Sequence, residues 1–209
     1  MVDKICDKIM NRVRAKMPEV DDERAEVIRY GLELMIGEVP KFFIMLIISY
    51  ILGIFKYFII SFFIICTYRF FSGGIHLKSH LGCVLGTTIL YFGNIFISKI
   101  IYFPNIISKI IFSIIVLGFS FIMITLYAPA DTENVPILRK KDRNIKKICS
   151  YIVVTFLTVI SFFINNQIIS NMCIIGILLQ SITITKALYK IFNVKLGYLE
   201  YIKTEKNAM

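Results

Sequence analysis

Carboxylates are missing from two long parts of this chain. No acidic residue occurs between Val39 and Ala130 or between Asn144 and Leu199, although the 209 residues include 14 aspartates and glutamates. Charged residues make up 18% of the chain and hydrophobic residues 57%, whereas a soluble domain has roughly 45–50% apolar residues. This balance excludes a disordered chain, a fibrous repeat and a small secreted scaffold, and it indicates an integral membrane protein.

CxxC cysteine pairs are also lacking, as is the pattern of a signal peptide in the first 40 residues. The five cysteines form no CxxC pair, which argues against a disulfide framework and a zinc site, so we predict no metal and no cofactor. The first 40 residues have no uninterrupted apolar core and no small-residue cleavage site, so they do not read as a signal peptide. Most of the cysteines are expected to be small apolar core residues, and one of them can be a nucleophile.

The net charge of +10 is concentrated in three polar segments. Residues 1–41, 129–147 and 186–209 hold all 14 carboxylates and 19 of the 24 basic residues. Basic residues that flank apolar spans mark the cytoplasmic side of a bilayer. We therefore expect this charge to face a lipid bilayer, and we predict no nucleic-acid partner.

Six apolar blocks separate or follow these segments, namely residues 42–55, 57–68, 84–98, 110–127, 148–163 and 168–185. Because all three polar segments should lie inside the cell, an even number of crossings must separate each pair. The sequence therefore predicts an all-α, multi-pass helix bundle of about six membrane helices with both termini inside. The first two blocks can alternatively form one long helix that contains Lys56.

We predict a single membrane domain over residues 1–209. Its parts are N-terminal amphipathic helices (1–41), membrane helices with a catalytic stretch at 69–83 (42–128), a cytoplasmic basic loop (129–147), a membrane hairpin (148–185) and a cytoplasmic tail (186–209). The first amphipathic helix is indicated by apolar residues at every fourth position from Ile5 to Met17, with basic residues beside them. Pro18 should end that helix, and the acidic residues that follow should start a second one.

The chain has only two histidines, His76 and His80, and both lie within seven residues of Cys83. An imidazole can take the thiol proton, and the thiolate can then attack a carbonyl. On an unbroken helix His80 can touch Cys83, whereas His76 would lie about 10 Å away along the axis. If the chain breaks or folds back, His76 can reach instead, and Gly73 and Gly74 make the preceding backbone permissive.

These residues carry a family resemblance. The pattern Arg69-x-x-x-Gly73-Gly74-x-His76, with Cys83 seven residues later, resembles the signature of the accessory gene regulator B family. So does the stretch Tyr-Ala-Pro-Ala-Asp-Thr-Glu-Asn at residues 127–134. The members of this family are bacterial membrane cysteine endopeptidases that process a quorum-sensing propeptide. The resemblance covers essentially the whole chain.

The resemblance implies a function and a mechanism. Cys83 matches the family's nucleophile and His76 its general base. The substrate would be an accessory gene regulator D propeptide, cut on the C-terminal side of the future signal and held as a thioester until an internal cysteine or serine closes a thiolactone or lactone. The resemblance also implies a homodimer. The location would be the bacterial cell membrane, with the active site toward the cytoplasm.

Further residues are candidates for binding or supporting roles, namely Arg69, Gly73, Gly74, Asp131, Glu133, Lys140 and Lys141. Arg69 can grip an acidic peptide tail or a phosphate, or it can be an interfacial anchor. Asp131 and Glu133 can orient the histidine, or Asp131 can cap a helix after Pro129. Lys140 and Lys141 can attract an acidic tail, or they can only set the topology.

Two other classes of function compete with the endopeptidase. A small transporter or channel for a peptide or ion would use Arg69, Lys78 and the histidines as a polar pore lining. A lipid-modifying transferase would need clustered carboxylates to hold a metal, and the acid-free stretch around Cys83 argues against it.

Overall fold

A computed structural model describes residues 2–17, 21–75, 77, 80–131, 137, 139–194 and 197–198. His76, Lys78 and Glu133 lie outside the described residues, as does the side chain of His80. The described residues form helices α1 (Val2–Lys16), α2 (Asp22–Ile51), α3 (Phe55–Ser72), α4 (His80–Ile100), α5 (Ile106–Tyr127), α6 (Lys140–Ile160), α7 (Gln167–Thr183) and α8 (Lys186–Ile191). The all-α prediction is confirmed.

Residues 1–55 form one compact unit. Within it α1 packs against α2, and an exposed ion pair joins Asp7 to Arg29 at 3.1 Å. α2 runs without interruption through Pro40, although the sequence suggested an interfacial helix followed by a separate membrane block from residue 42. The interfacial position of α1 stays a prediction.

Residues 56–209 form the second compact unit, with α7 at its centre. α7 packs against α4, α5 and α6, and every residue from Ser170 to Ile177 is buried. Gly176 lets α3 approach closely, since a Cβ atom there would lie only 2.8 Å from Ile64 Cγ2. Whether the two units make one domain, as the sequence suggests, stays a prediction.

Among the described residues, three helical segments are long and apolar enough to cross a membrane, namely Phe55–Ser72, Gly82–Ile100 and Ile106–Tyr127. Each buries a third or less of its residues within the structure, as expected of helices whose outer faces contact lipid. The chain is therefore a membrane protein. The count of six crossings and their direction stay predictions.

The helix boundaries define two connections between helices. α2 ends at Ile51 and α3 begins at Phe55, so the alternative of one long helix through Lys56 is wrong. Residues 165–167 lie between the two blocks of the predicted membrane hairpin. There α6 has ended at Ile160, and Asn166 caps α7 by accepting a hydrogen bond from Ile169 N at 3.1 Å.

The basic run predicted as a loop is partly helical. α6 begins at Lys140, and its first two turns carry basic residues up to Lys147, followed by apolar residues to Ile160. Long straight-chain cations have good helix propensity, so charge alone did not identify a loop here.

Candidate active site

The connection between α3 and α4 decides where Cys83 lies relative to residue 76. α3 ends at Ser72, and Gly73 and Gly74 take φ values of +70° and +151°, which only glycine adopts readily. The next helix, α4, begins at His80, so Cys83 lies in its first turn. A continuous helix from Leu77 to Cys83 is therefore excluded, whereas His80 and Cys83 lie three residues apart on one helix, α4.

The two sequence stretches that carry the resemblance meet at this connection. Gly73 and Ala130 form a parallel β-bridge. Gly74 N donates to Ala130 O at 2.9 Å, and Ala130 N donates to Ser72 O at 2.8 Å. A Cβ atom on Gly73 would lie 2.3 Å from Ala130 O, so no other residue fits without moving the backbone. We call residues 73–75 the Gly-Gly loop.

The C-terminal end of α7 holds the same loop from another side. Gln180 Nε2 donates to Gly73 O at 2.8 Å and to Ser72 Oγ at 3.1 Å. Ile75 N donates to Thr183 O at 3.3 Å. Neither Gln180 nor Thr183 was among the site residues predicted from the sequence. The amide of Gln180 was a usable signal in the sequence, because an amide within an apolar block is costly to bury unless it has a specific hydrogen-bond partner.

Arg69 braces the end of the Gly-Gly loop. Its NH2 group donates to Ile75 O at 2.5 Å, and its NH1 group lies 3.0 Å from where a Cβ atom on Gly74 would be. Arg69 therefore fixes the residue directly before position 76, a role that neither of its sequence-based interpretations named. Its binding of a substrate tail stays a prediction.

Beyond the loop the chain folds back onto α4. Leu77 Cδ1 lies 3.5 Å from the position of a Cβ atom on Gly86. Gly86 follows Cys83 by three residues, so the two positions are neighbours on one face of α4. Ile75, directly before His76 in the sequence, is bonded at both its N–H and its C=O, and Leu77, directly after it, lies beside α4 one turn past Cys83.

Asp131 anchors the second stretch. Its carboxylate is 2% exposed and makes a salt bridge to Arg143 at 3.0 Å. The oxygen in that salt bridge, Oδ2, also accepts a hydrogen bond from Ile137 N at 2.9 Å, and Oδ1 accepts one from Tyr198 N at 3.4 Å. The next described helix begins at Lys140, with Arg139 as its N-cap. Because residues 132–136 lie outside the described ones, the alternative that Asp131 caps a helix after Pro129 stays a prediction.

Arg143 joins several segments and is distinct from its basic neighbours. It also donates to Pro129 O at 3.3 Å, and its guanidinium lies 4.1 Å from the centre of the Tyr198 ring. By contrast, Lys140 and Lys141 are exposed on the first turn of α6. The side chains of these two lysines are therefore accessible to an acidic partner, unlike the guanidinium of Arg143 that is paired with Asp131.

Tyr189 completes the support beneath the second stretch. Its buried hydroxyl donates to Ala130 O at 3.2 Å and to Asp131 O at 3.4 Å. Burial raises the pKa of the Tyr189 phenol, an effect that nearby Arg69 opposes and Asp131 reinforces. The hydroxyl therefore stays protonated and remains a donor.

Comparison with known proteins assigns the family. The model of the accessory gene regulator B family matches residues 3–184. This chain belongs to that family. The matched range includes the Gly-Gly loop, Cys83, Asp131 and Gln180, so the contacts between the two stretches and α7 lie within it.

Relatives of the same name match over most of their length. The AgrB-like protein of Listeria welshimeri is 31% identical over 207 residues, which covers 97% of this chain and 95% of the relative. That of Clostridium beijerinckii is 33% identical over 174 residues, covering 80% and 81%. That of Clostridium perfringens is 26% identical over 197 residues, covering 88% and 92%. No solved structure matches the chain.

Family membership gives the chain an accessory gene regulator role in quorum sensing. It also links the chain to an accessory gene regulator D propeptide. Among the described residues, no group of three or more histidine, cysteine or acidic side chains is placed to hold a metal ion.

Proposed function

We propose that this chain is a membrane cysteine endopeptidase in which Cys83 is the nucleophile and His76 the general base. It cleaves the C-terminal part of an autoinducing propeptide, keeps the product as a thioester and allows its cyclisation. The observation that supports this assignment best is the fold-back of the chain after the Gly-Gly loop. Leu77, which directly follows His76 in the sequence, packs at Gly86, one turn beyond Cys83.

The first half-reaction is acyl transfer to sulfur. The imidazole of His76 takes the proton of the Cys83 thiol, and the thiolate adds to the carbonyl carbon of the scissile peptide bond. The C–N bond then breaks, and the imidazolium returns the proton to the leaving amine. The result is a thioester between the peptide and Cys83 and a free C-terminal fragment.

The second half-reaction closes the ring. The internal thiol or hydroxyl of the bound peptide gives its proton to His76 and attacks the thioester, and the bond to Cys83 Sγ breaks. The thioester keeps its acyl-transfer potential, so cyclisation needs no ATP. Water would give a linear product instead, and a site among apolar helices limits its access. Tethering raises the effective concentration of the internal nucleophile.

The proposed topology puts this chemistry at the cytoplasmic face, with six crossings and both termini inside. Arg69 at the end of α3 and the basic first half of α6 both lie at helix ends beside the Gly-Gly loop and residues 128–131. Basic residues at such ends mark the inner side of the bilayer. We also propose a homodimer, because an apolar helix as short as α7, with 17 residues, can be accommodated by oligomerisation.

The deciding experiment compares two cysteine variants in membranes that contain the full chain and its propeptide. Cys83→Ala should abolish cleavage while the protein still inserts, whereas Cys66→Ala, which changes an exposed cysteine on α3, should cleave as wild type. Cleavage that persists in Cys83→Ala would contradict the proposal.

The choice of base is tested in the same assay. His76→Ala should lose cleavage as fully as Cys83→Ala, and His80→Ala should retain it. The reverse pattern would assign the base to His80, which precedes Cys83 by three residues on α4.

Charge reversal tests whether the exposed lysines attract the propeptide's acidic tail. The double variant Lys140→Glu with Lys141→Glu should insert normally and show a raised KM with little change in kcat. Altered insertion with an unchanged KM would leave these lysines a topological role alone.

A further inference from the structure

Gln180 is an unusual residue for the place it occupies. Its side chain is fully buried, and Oε1 has no hydrogen-bond partner. The cost of burying an unpaired amide oxygen offsets the gain from the two hydrogen bonds that Nε2 donates to Ser72 and Gly73, so an apolar side chain of the same length should be about as stable. The stability of α7 therefore does not explain why an amide is present at this position.

The Gly-Gly loop explains what the amide provides. Gly73 O accepts two hydrogen bonds, one from Gln180 Nε2 and one from Ser72 Oγ at 3.0 Å. The Ser72 hydroxyl belongs to the adjoining residue, so it satisfies the carbonyl without tying the loop to any other element. Gln180 is the side chain that ties this carbonyl to α7.

Four other backbone groups of the loop are also bonded. Gly73 N donates to Arg69 O, Gly74 N to Ala130 O and Ile75 N to Thr183 O, while Ile75 O accepts from Arg69. A segment with positive-φ glycines has many alternative conformations, and these contacts select one of them. The chain leaves the loop directly into position 76.

We propose that Gln180 is a positioning residue for the proposed acyl transfer, on which this inference rests. Its amide donors fix the Gly73 carbonyl against α7 and thereby set the position of the His76 imidazole relative to Cys83. Gln180 does not touch the reacting atoms. Its contribution is the preorganisation of a group that does, and a misplacement of about 1 Å can lower a rate about 100-fold.

The test separates folding from positioning. Gln180→Met removes the two donors and the unpaired oxygen at similar side-chain length, and Gly73 O keeps its bond from Ser72. The variant should therefore unfold at the wild-type temperature or above, while kcat for propeptide cleavage falls about 10- to 100-fold and KM stays within about twofold. The matched control is Asn171→Met, which changes the other buried amide of α7 with an unpaired oxygen and should leave kcat unchanged.

A second readout needs no substrate. In a Cys66→Ala background, the rate of Cys83 alkylation by iodoacetamide should be lower in Gln180→Met than in its parent, because the imidazole that accepts the thiol proton is displaced. An unchanged rate together with an unchanged kcat would overturn the inference, even if Cys83→Ala is inactive and the endopeptidase assignment holds.

A further variant keeps the inference testable if Gln180→Met does not fold. Ser72→Ala removes the hydroxyl that accepts from Gln180 while Gly73 O keeps its bond from Nε2. A smaller fall in kcat, of about threefold to tenfold, supports the positioning role. Wild-type kcat in this variant would contradict it.

Discussion

The two ends of α7 each carry a buried amide with an unpaired oxygen, Asn171 at one end and Gln180 at the other. Asn171 Nδ2 donates to Ser98 O at 3.2 Å and to Ile101 O at 2.9 Å. Those carbonyls belong to the C-terminal end of α4, where intrahelical partners run out. Gln180 instead donates to an irregular loop.

Lys109 strengthens the contrast. Near the Asn171 end it donates to Ser161 O at 3.1 Å, at the C-terminal end of α6, and it also bonds the Ser170 hydroxyl. A cation beside terminal carbonyls complements the helix dipole. Polar side chains at the Asn171 end therefore bond the terminal carbonyls of α4 and α6, whereas those at the Gln180 end hold the connection that leads to Cys83. One end serves stability and the other serves placement.

The largest expected effect comes from Gly73→Ala at the loop end. The added Cβ would meet Ala130 O at 2.3 Å in a backbone with φ of +70°, so the two stretches must separate. Cleavage should fall at least about 100-fold. Gly118→Ala on α5, where nothing lies within 4 Å, should retain full activity in the same membrane assay.

Arg143→Met should cause the largest loss of stability. It leaves Asp131 buried without its ion-pair partner, which costs about 3 kcal/mol. Thermal unfolding in detergent measures the loss, and the exposed Lys140→Met change should alter stability by no more than about 0.5 kcal/mol. Equal effects of the two variants would mean that the Asp131–Arg143 pair does not anchor the second stretch.

Asn171→Met sharpens the comparison from the opposite end of α7. The variant leaves Ser98 O and Ile101 O without the amide donor, and the free energy of unfolding should fall by about 1 kcal/mol. The kcat of the folded protein should not change. A loss of kcat as large as that expected for Gln180→Met would remove the distinction between the two ends.

Tyr189→Phe is the mildest change. It deletes the hydroxyl that donates to Ala130 and Asp131, at a cost of about 1 kcal/mol or less. Because burial raises the pKa of Tyr189 in the folded state, its stabilising contribution is present at neutral pH and declines as pH rises above about 10. The difference in unfolding temperature between pH 8 and pH 10.5 should therefore be smaller in the variant than in the wild type.

Local signals in the sequence predicted much of this end of the molecule. Gly73 and Gly74 were identified because paired glycines permit unusual backbone angles, and α3 does end there. Asp131 was a candidate for orienting the histidine, and the structure shows its carboxylate paired with Arg143. The continuity of α2 through Pro40 and the helical start of α6 were missed because a proline and a basic run each suggest a boundary that neighbouring residues override.

The partners of these residues were not predictable from local patterns. Gln180 lies 108 residues from Ser72, and Tyr189 lies 59 residues from Ala130. Such contacts depend on how α7 and α8 pack, and no spacing in the sequence encodes them. The basic run also concealed Arg143, whose charge is the same as that of its exposed neighbours while its contacts differ.

The proposed thioester at Cys83 is tested most directly by acid-quenching the wild-type protein with its propeptide and analysing it by mass spectrometry. A tryptic peptide that contains Cys83 should carry the N-terminal cleavage product, the adduct should be removed by hydroxylamine, and Cys83→Ala should show none. Propeptide cleavage without any adduct on Cys83, or an adduct that persists in Cys83→Ala, would contradict the account.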